Sequence, residues 1–303
     1  MSDSLPVEDL LDSWELSLRA RNRTQTTIKS YKLAVVQFTR FLESMGLPSD
    51  VDEVTNRHVE AWLAELQSTH ASATVRQRYA SLKQWFRWLA KEGEIEADPM
   101  ADMEPPKIDE KPVPVIPMDD LRALLAACNA DTKTRPFEAA RDTAIVRLFL
   151  DTGIRLEEMA GIGVDDVDRR LQVVTVLGKG RRFRTVAYDI KTAEAVDRYH
   201  RQRLRHKDTT NTGWWLGRNG RLSSSGVAQI IKRRCADAGI DPINPHRFRH
   251  TFAHQWLARG GNEGDLQQMA GWSSPQMLQR YGSSAAEQRA QEAHRRIGLW
   301  EDL

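Results

Sequence analysis

The chain has 303 residues, 40% of them hydrophobic, with two cysteines and a formal net charge of +2. This length exceeds what one compact domain needs, so we expect two domains. No apolar run approaches a membrane span, and the acidic first residues do not resemble a signal peptide, which excludes membrane-spanning and secreted classes. Cys128 and Cys235 are therefore expected to be reduced thiols in a cytoplasmic protein.

Charge is distributed unevenly along the chain. Residues 1–104 hold 12 Lys and Arg against 17 Asp and Glu, whereas residues 105–303 hold 32 against 25. A basic second part favours a polyanionic partner. A solvated charged surface would account for the same count, so the charge alone leaves both interpretations open.

The first part of the chain predicts a helical domain over residues 1–104. Apolar residues recur there at helical spacing in four segments, and no segment shows the alternation of a strand. Thr24 and Thr55 are the expected N-caps of the second and third helices, and Gly46 and Gly93 are the expected stops of the second and fourth. We therefore predict a four-helix domain.

A proline-rich segment separates this domain from the rest. Five prolines fall within residues 103–117, which is typical of a semi-rigid extended linker, and we place the linker at 105–117. Residues 118–303 have the apolar spacing of helices, with one exception. Apolar and polar residues alternate in "LQVVTVLGKGRRFRTVAY", which predicts a β-hairpin over 171–188. The second domain is thus α+β, with a helix at its C-terminal end.

The stretch "NPHRFRHTFAHQWLARGG" gathers charge at a predicted helix start. Asn244 is a suitable N-cap, and at 100° per residue His246, Arg249 and His250 fall within an arc of about 100°. A helix N-terminus attracts anions, so this face is a candidate phosphate site. An aromatic stripe at four-residue spacing lies beside it and is expected to be core, formed by Phe248, Phe252 and Trp256.

Zinc is the alternative use of these histidines. His250 and His254 stand four residues apart, as in helices that place two imidazoles on one metal. No glutamate follows His250, however, and no third ligand stands out in the sequence. We therefore expect no metal, and we expect His254 to be an ordinary packed helix residue with a backbone partner.

Three further segments carry residues that suit an anionic site. Arg155 follows a helix-breaking glycine and precedes Glu158 by three residues, Lys179 stands between two glycines at the predicted hairpin tip, and Trp272 precedes Tyr281 by nine residues. Each feature alone is typical of ordinary surface or core positions. Their order and spacing together are more specific.

This pattern resembles the tyrosine recombinases, the phage-integrase family of site-specific recombinases. "TGIRLEE" is similar to the first arginine box of that family, and "PHRFRHTFA" is similar to its H-x-L-R-H box, with Phe248 where leucine is usual. "AGW" corresponds to a G-H segment in which tryptophan replaces histidine in some members. The resemblance covers the whole chain, in a Xer-like two-domain layout. It implies a mainly α fold with a small β-sheet, made of a SAM-like core-binding domain and an α+β catalytic domain.

The resemblance also implies a reaction. Tyr281 would attack a DNA phosphodiester and form a 3′-phosphotyrosyl link, while Arg155 and Arg249 hold the non-bridging oxygens. Lys179 would protonate the departing 5′-oxygen, and His246 would assist proton transfer at the tyrosine.

The resemblance gives supporting roles to three more residues and requires no cofactor. His250 would orient its neighbours, Glu158 would support Arg155, and Trp272 would pack and donate a hydrogen bond to phosphate. The link conserves the phosphodiester bond energy, so neither ATP nor a metal is expected.

Partners follow from the same resemblance. The first partner is double-stranded DNA that carries recombination sites. Four protomers would form a tetramer on two such sites, and the reaction would pass through a Holliday junction. A directionality factor is a further possible partner, and the location would be cytoplasmic and nucleoid-associated, without a membrane. Candidate DNA contacts in the fourth helix are Arg76, Arg78, Lys83 and Arg87.

Several functions remain open from the sequence. Integration or excision of a phage or other mobile element is the first, and a Xer-type resolvase of chromosome or plasmid dimers is the second. A type IB topoisomerase-like enzyme shares the chemistry without pairing sites. A DNA-binding protein without catalysis is the alternative from another class, but every expected catalytic residue type is present.

Overall fold

The computed structural model describes residues 7–108, 114–178, 180, 182–272, 291 and 294–295. The chain forms two compact units, Met1–Lys111 and Pro112–Leu303. The division between them falls inside the proline-rich segment. Most of the predicted C-terminal helical segment lies outside the described residues.

Described residues of the first unit form four helices: α1 (Val7–Ala20), α2 (Gln25–Ser44), α3 (Asn56–Thr69) and α4 (Ser72–Glu92). The predicted Thr24 cap is confirmed, since its hydroxyl accepts the Thr27 N–H at 3.3 Å. Gly93 ends α4 in the left-handed conformation, as expected. The core between the helices combines aliphatic side chains with large aromatic ones, which include Trp14, Phe38, Trp62, Trp85 and Phe86.

The second unit is mixed. Its helices are α5 (Met118–Ala130), α6 (Pro136–Thr152), α7 (Leu156–Gly161), α8 (Ile190–Arg203), α9 (Ser224–Asp237), α10 (Pro245–Ala258) and α11 (Glu263–Ala270). Its strands are β1 (Val167–Asp168), β2 (Val173–Leu177), β3 (Phe183–Ala187), β4 (Leu216–Gly217) and β5 (Gly220–Arg221).

The predicted hairpin is confirmed as β2 and β3. They pair antiparallel from Val173 with Ala187 to Leu177 with Phe183, and β1 adds to the other edge of β2. Neither β1 nor the β4–β5 pair is predicted from the sequence. Each of these strands is two residues long, which is too short to show a repeat of two.

Helix α6 lies at the centre of the second unit. It packs against α5, α8, α9 and α10, and Phe149 on α6 stacks on Phe248 of α10 with ring centroids 5.6 Å apart. Cys128 and Cys235 are buried and unbridged, as expected, and burial raises the pKa of the Cys128 thiol to about 12. Within the described ranges no helix combines the length and apolar character needed to cross a bilayer.

Candidate active site

Helix α10 begins as the sequence predicts. The Asn244 side chain accepts the His246 N–H at 2.9 Å, and Pro245 occupies the first helical position. His246 is exposed while His250 is buried, and their rings meet nearly at right angles with centroids 4.5 Å apart. The first turns of α10 therefore place one imidazole at the surface and one directly behind it.

Arg249 is the buried centre of the site, with 1% of its surface exposed. Its Nη1 donates to the Gly153 carbonyl at 2.8 Å, and its Nη2 donates to the Ala270 carbonyl. The guanidinium also lies over the Trp272 ring, 5.2 Å from its centroid. Arg249 thus joins the end of α6, the start of α10 and the end of α11.

Gly153 permits this convergence. It ends α6 in the left-handed conformation with φ +57°, and a Cβ there would lie 2.4 Å from Cδ1 of Phe252. Phe252 therefore packs directly against the backbone that presents its carbonyl to Arg249. Only glycine combines that conformation with that approach.

Arg155 stands at the N-terminus of α7, next to the same corner. Its Nη1 donates to Glu158 at 2.9 Å, and its backbone N–H donates to the other carboxylate oxygen at 2.8 Å. Its Nη2 donates to the Gly271 carbonyl at 3.4 Å. One third of the Arg155 side chain is exposed, which leaves this guanidinium accessible from outside.

Arg184 is a member of the site that the sequence analysis missed. This β3 residue forms a two-bond fork with Glu158, in which both Nη–O distances are 2.7 Å. Its Nε donates to the Met269 carbonyl at 2.8 Å. Arg184 shares the inward face of β3 with buried Val186, and an arginine on that face was the available signal.

Glu158 is almost completely buried between the two arginines. Burial by itself raises the pKa of Glu158, but hydrogen bonds from Arg184 and from the Arg155 backbone outweigh it and lower the pKa to about 2. The carboxylate therefore stays ionised at neutral pH and fixes both guanidinium groups.

Trp272 follows Gly271, whose φ of +61° ends α11. The indole is 6% exposed and packs beneath Arg249, as the packing part of its expected role requires. Gly271 also lets Arg184 approach closely, because a Cβ there would lie 3.0 Å from Nη1 of Arg184. Three arginines thus hold the end of α11, because Arg184, Arg249 and Arg155 donate to the carbonyls of Met269, Ala270 and Gly271 in turn.

Lys179 and Tyr281 lie outside the described residues, so their placement remains a prediction. The hairpin ends on either side of Lys179 are described, and the Gly178 N–H donates to the Arg182 carbonyl at 2.8 Å.

The four candidate DNA contacts in the first unit differ in their surroundings. Arg76 and Arg87 are exposed, Arg78 is half-buried, and Arg76 donates to the Pro106 carbonyl at 3.2 Å. Lys83 donates to the Ala101 and Met103 carbonyls at 3.3 and 3.1 Å. Its ammonium therefore ties α4 to the segment that follows it, a structural role that the sequence analysis did not predict.

The zinc alternative gains no support from the described residues. No group of three or more His, Cys, Asp or Glu side chains there is arranged to hold a metal ion. Nδ1 of His254 is buried and has no hydrogen-bond partner among the described residues. The backbone partner that we expected for His254 is therefore not found at this nitrogen.

Comparisons with known proteins agree with the predicted fold. The model of the phage integrase family matches residues 114–288, and that of the phage integrase N-terminal SAM-like domain matches residues 10–94. Tyrosine recombinase XerC of Corynebacterium efficiens is 29% identical over 290 residues, covering 95% of this chain and 89% of the relative.

Two solved structures share the fold. The XerH site-specific recombinase, bound to palindromic difH substrate in a post-cleavage complex, gives a TM-score of 0.73 at 16% identity and covers 93% of this chain and 82% of that one. A lambda integrase tetramer bound to a Holliday junction gives 0.71 at 18% identity, covering 92% and 78%. The fold class that the sequence predicts is confirmed.

Proposed function

The chain belongs to the phage integrase family and is a tyrosine-type site-specific recombinase, and from this premise we propose how its residues cut and rejoin DNA. The Tyr281 oxygen attacks a backbone phosphorus, the bond from phosphorus to the 5′-oxygen breaks, and a 3′-phosphotyrosyl link forms. The released 5′-oxygen takes up a proton, and Lys179 supplies it. The reverse reaction joins a 5′-hydroxyl to the same phosphorus and frees the tyrosine.

One observation carries the proposal. Arg155 precedes α7 and Arg249 lies on α10, and they donate to the adjacent carbonyls of Gly271 and Ala270. Their guanidinium groups are therefore held beside each other at one corner, and planar guanidinium forks suit the non-bridging oxygens of a phosphate. Charge placed there before the reaction stabilises the transition state without further reorganisation.

The histidines and Trp272 complete this corner. His246 is exposed at the start of α10, where it can take part in proton transfer at the tyrosine oxygen. His250 supports its ring from behind, and Trp272 supports the Arg249 guanidinium. Trp272 offers one indole N–H, which we assign to the phosphate.

The partner in this proposal is double-stranded DNA. The XerH and lambda integrase structures hold DNA, and the second of them is a tetramer on a Holliday junction, which supports the same assembly for this chain. We assign residues 1–104 to core-site binding, 105–117 to the linker and 118–303 to catalysis. A directionality factor and a nucleoid-associated, cytoplasmic location belong to the same proposal.

The experiment that tests the chemistry is covalent trapping. The full chain is incubated with fragmented host and element DNA and denatured in SDS, and the DNA that stays attached is sequenced. We expect attachment to a discrete sequence that Tyr281→Phe abolishes. Reversible binding by both proteins without any attached DNA would favour the non-catalytic DNA-binding alternative.

A Xer-type dimer resolvase is the second candidate for the biological role, alongside integration or excision of a mobile element. The XerC relative matches across 95% of this chain, which favours that candidate. The trapped sequence distinguishes them, because a chromosome or plasmid site apart from any mobile element indicates a resolvase, whereas a junction at an element boundary indicates an integrase.

A further inference from the structure

Glu158 binds two arginines, and Arg155 is the more exposed of the two. We propose that Arg184 is a positioning residue that satisfies the Glu158 carboxylate and so keeps the Arg155 guanidinium available for the phosphate. This inference rests on the proposed function and assigns a role to a residue that the family motifs quoted above do not include.

The two contacts with Glu158 are unequal. Arg184 faces both carboxylate oxygens with a fork of two bonds at 2.7 Å, and its side chain is 14% exposed. Arg155 gives a single side-chain bond to the carboxylate at 2.9 Å, and its side chain is 33% exposed. Arg184 therefore provides most of the compensation for the buried charge, while Arg155 keeps donors that point elsewhere.

Charge counting gives the consequence. Within the Glu158 cluster, two guanidinium groups against one carboxylate leave a surplus of one positive charge, which adds to the charge of Arg249 beside it and favours an anionic phosphodiester. Without Arg184 the pair of Arg155 and Glu158 is neutral. Because an uncompensated buried carboxylate is costly, Arg155 would then turn its own fork toward Glu158 and away from a phosphate.

Arg184 also connects two segments of the site. Its Nε bond to the Met269 carbonyl holds β3 against the end of α11, next to Trp272. The same strand belongs to the hairpin whose turn carries Lys179 in the sequence. Gly271 and Gly178 both leave room for the Arg184 guanidinium, with Cβ positions 3.0 and 3.2 Å from Nη1.

An ordinary structural ion pair would show the same contacts, so the test must separate charge balance from folding. In Arg184→Met, Arg155 is left as the ion-pair partner of Glu158. The double variant Arg184→Met with Glu158→Gln removes both of these charges, so the positive charge of Arg155 is again uncompensated and available to a phosphate. A purely structural role predicts that the double variant is no better than the single one. Arg184→Lys keeps the charge but not the fork, and it serves where the methionine variant does not fold.

The matched control is Arg221→Met. Arg221 on β5 donates to the Ala160 and Gly161 carbonyls at the other end of α7, at 3.2 and 2.6 Å. Its loss disturbs the same helix and removes one positive charge without touching Glu158. Thermal unfolding of every variant identifies those that are folded at the assay temperature.

Two measurements use the full chain. The first is the rate of covalent attachment to the duplex recovered by trapping. The second is reversible binding of a mixed-sequence DNA duplex at several salt concentrations, with Tyr281→Phe added to each variant.

We expect Arg184→Met to slow attachment by at least about 10-fold and to lower the salt slope by about 1, because one phosphate contact is lost. The attachment rate of the double variant should recover to within about 3-fold of that of the unmodified chain. The rate of Arg184→Lys should lie between those of Arg184→Met and the unmodified chain, and the rate of Arg221→Met should equal that of the unmodified chain.

The inference is overturned if folded Arg184→Met attaches at the original rate, or if the double variant is no faster than the single one. If the unmodified chain attaches to no DNA, the proposed chemistry fails, and the salt slopes still decide whether Arg184 frees a phosphate contact. A chain that binds no DNA overturns both.

Discussion

Glu158 and Arg234 are both buried charges in ion-pair clusters of the second unit, and they differ in sign and in how accessible their partners are. One carboxylate binds two guanidinium groups at Glu158. One guanidinium binds three carboxylates at Arg234, those of Asp131, Asp142 and Asp237. The first cluster contains a guanidinium that is accessible from outside, whereas the Arg234 guanidinium is buried among its carboxylates.

The difference separates an arginine that holds the fold from an arginine that serves a ligand. Arg234 ties α9 to α6 and to the end of α5, and its side chain is 2% exposed. Arg155 keeps one third of its side chain exposed next to Gly271. Ion pairing alone therefore does not identify a functional arginine, and the accessibility of the paired guanidinium is what separates the two.

The largest expected effect on stability belongs to the Arg234 cluster. Arg234→Met leaves Asp142, which is fully buried, with only Arg141 and Arg233, and it leaves Asp131 with an exposed partner. Removing one partner of a buried pair costs about 3–5 kcal/mol, so the free energy of unfolding should fall by that amount in urea titrations. Covalent attachment per folded molecule should not change, and a loss of attachment in folded protein would place this cluster in the site.

Glu158→Gln should lower the free energy of unfolding slightly less than Arg234→Met does, and the size of this loss should depend on pH. The pKa of Glu158 lies near 2 instead of the usual 4.5, so its ionised form adds about 3 kcal/mol of stability above pH 4.5. That contribution falls as the pH drops from 4.5 towards 2, because the folded carboxylate then takes up its proton.

The unfolding free energies of the unmodified chain and Glu158→Gln, measured by urea titration at several pH values, should therefore converge between pH 4.5 and 2. A difference that stayed constant across this range would mean that the stability comes from packing and not from the charge. Asp197→Asn serves as the control, since its partner Arg169 is exposed and its difference should be small throughout.

These two clusters also show what sequence alone can and cannot predict. The caps at Thr24 and Asn244 and the hairpin were predictable because each depends on neighbours within a few residues. The fork between Arg184 and Glu158 spans 26 residues, and the Arg184 bond to Met269 spans 85. Such partners are set by packing of the whole unit, which no local pattern encodes.

The sequence predicts which residues belong to the site better than it predicts the residues that they contact. The motifs that resemble those of the tyrosine recombinases single out Arg155, Arg249 and Trp272, and the structure brings them to one corner. The same motifs gave no reason to separate Arg184 from its neighbour Arg182 in "GRRFRTV". Strand alternation, which puts Arg184 on the face of Val186, was the physical signal that could have done so.

Gly271→Ala should have a moderate effect on stability and should also disturb the Glu158 cluster. The left-handed backbone at Gly271 disfavours alanine, and the added Cβ would stand 3.0 Å from Nη1 of Arg184. We expect a loss of about 2 kcal/mol in unfolding free energy and slower attachment, because the displaced guanidinium also contacts Glu158. Gly260→Ala is the matched control, since it has the same left-handed backbone with no heavy atom within 4 Å of the added Cβ. Equal attachment rates for the two variants would contradict the assigned role of this contact.

The smallest effect is expected at an ion pair that is neither buried nor near the corner. Arg169 and Asp197 approach to 2.9 Å, but their side chains are 42% and 46% exposed. Water and salt screen such a pair, so Arg169→Ala should change the free energy of unfolding by no more than about 0.5 kcal/mol. Urea titrations at low and high salt measure this, and the small difference should shrink further as salt is added. A loss comparable to that of Arg234→Met would mean that burial is not what separates the strong clusters of this unit from its surface pairs.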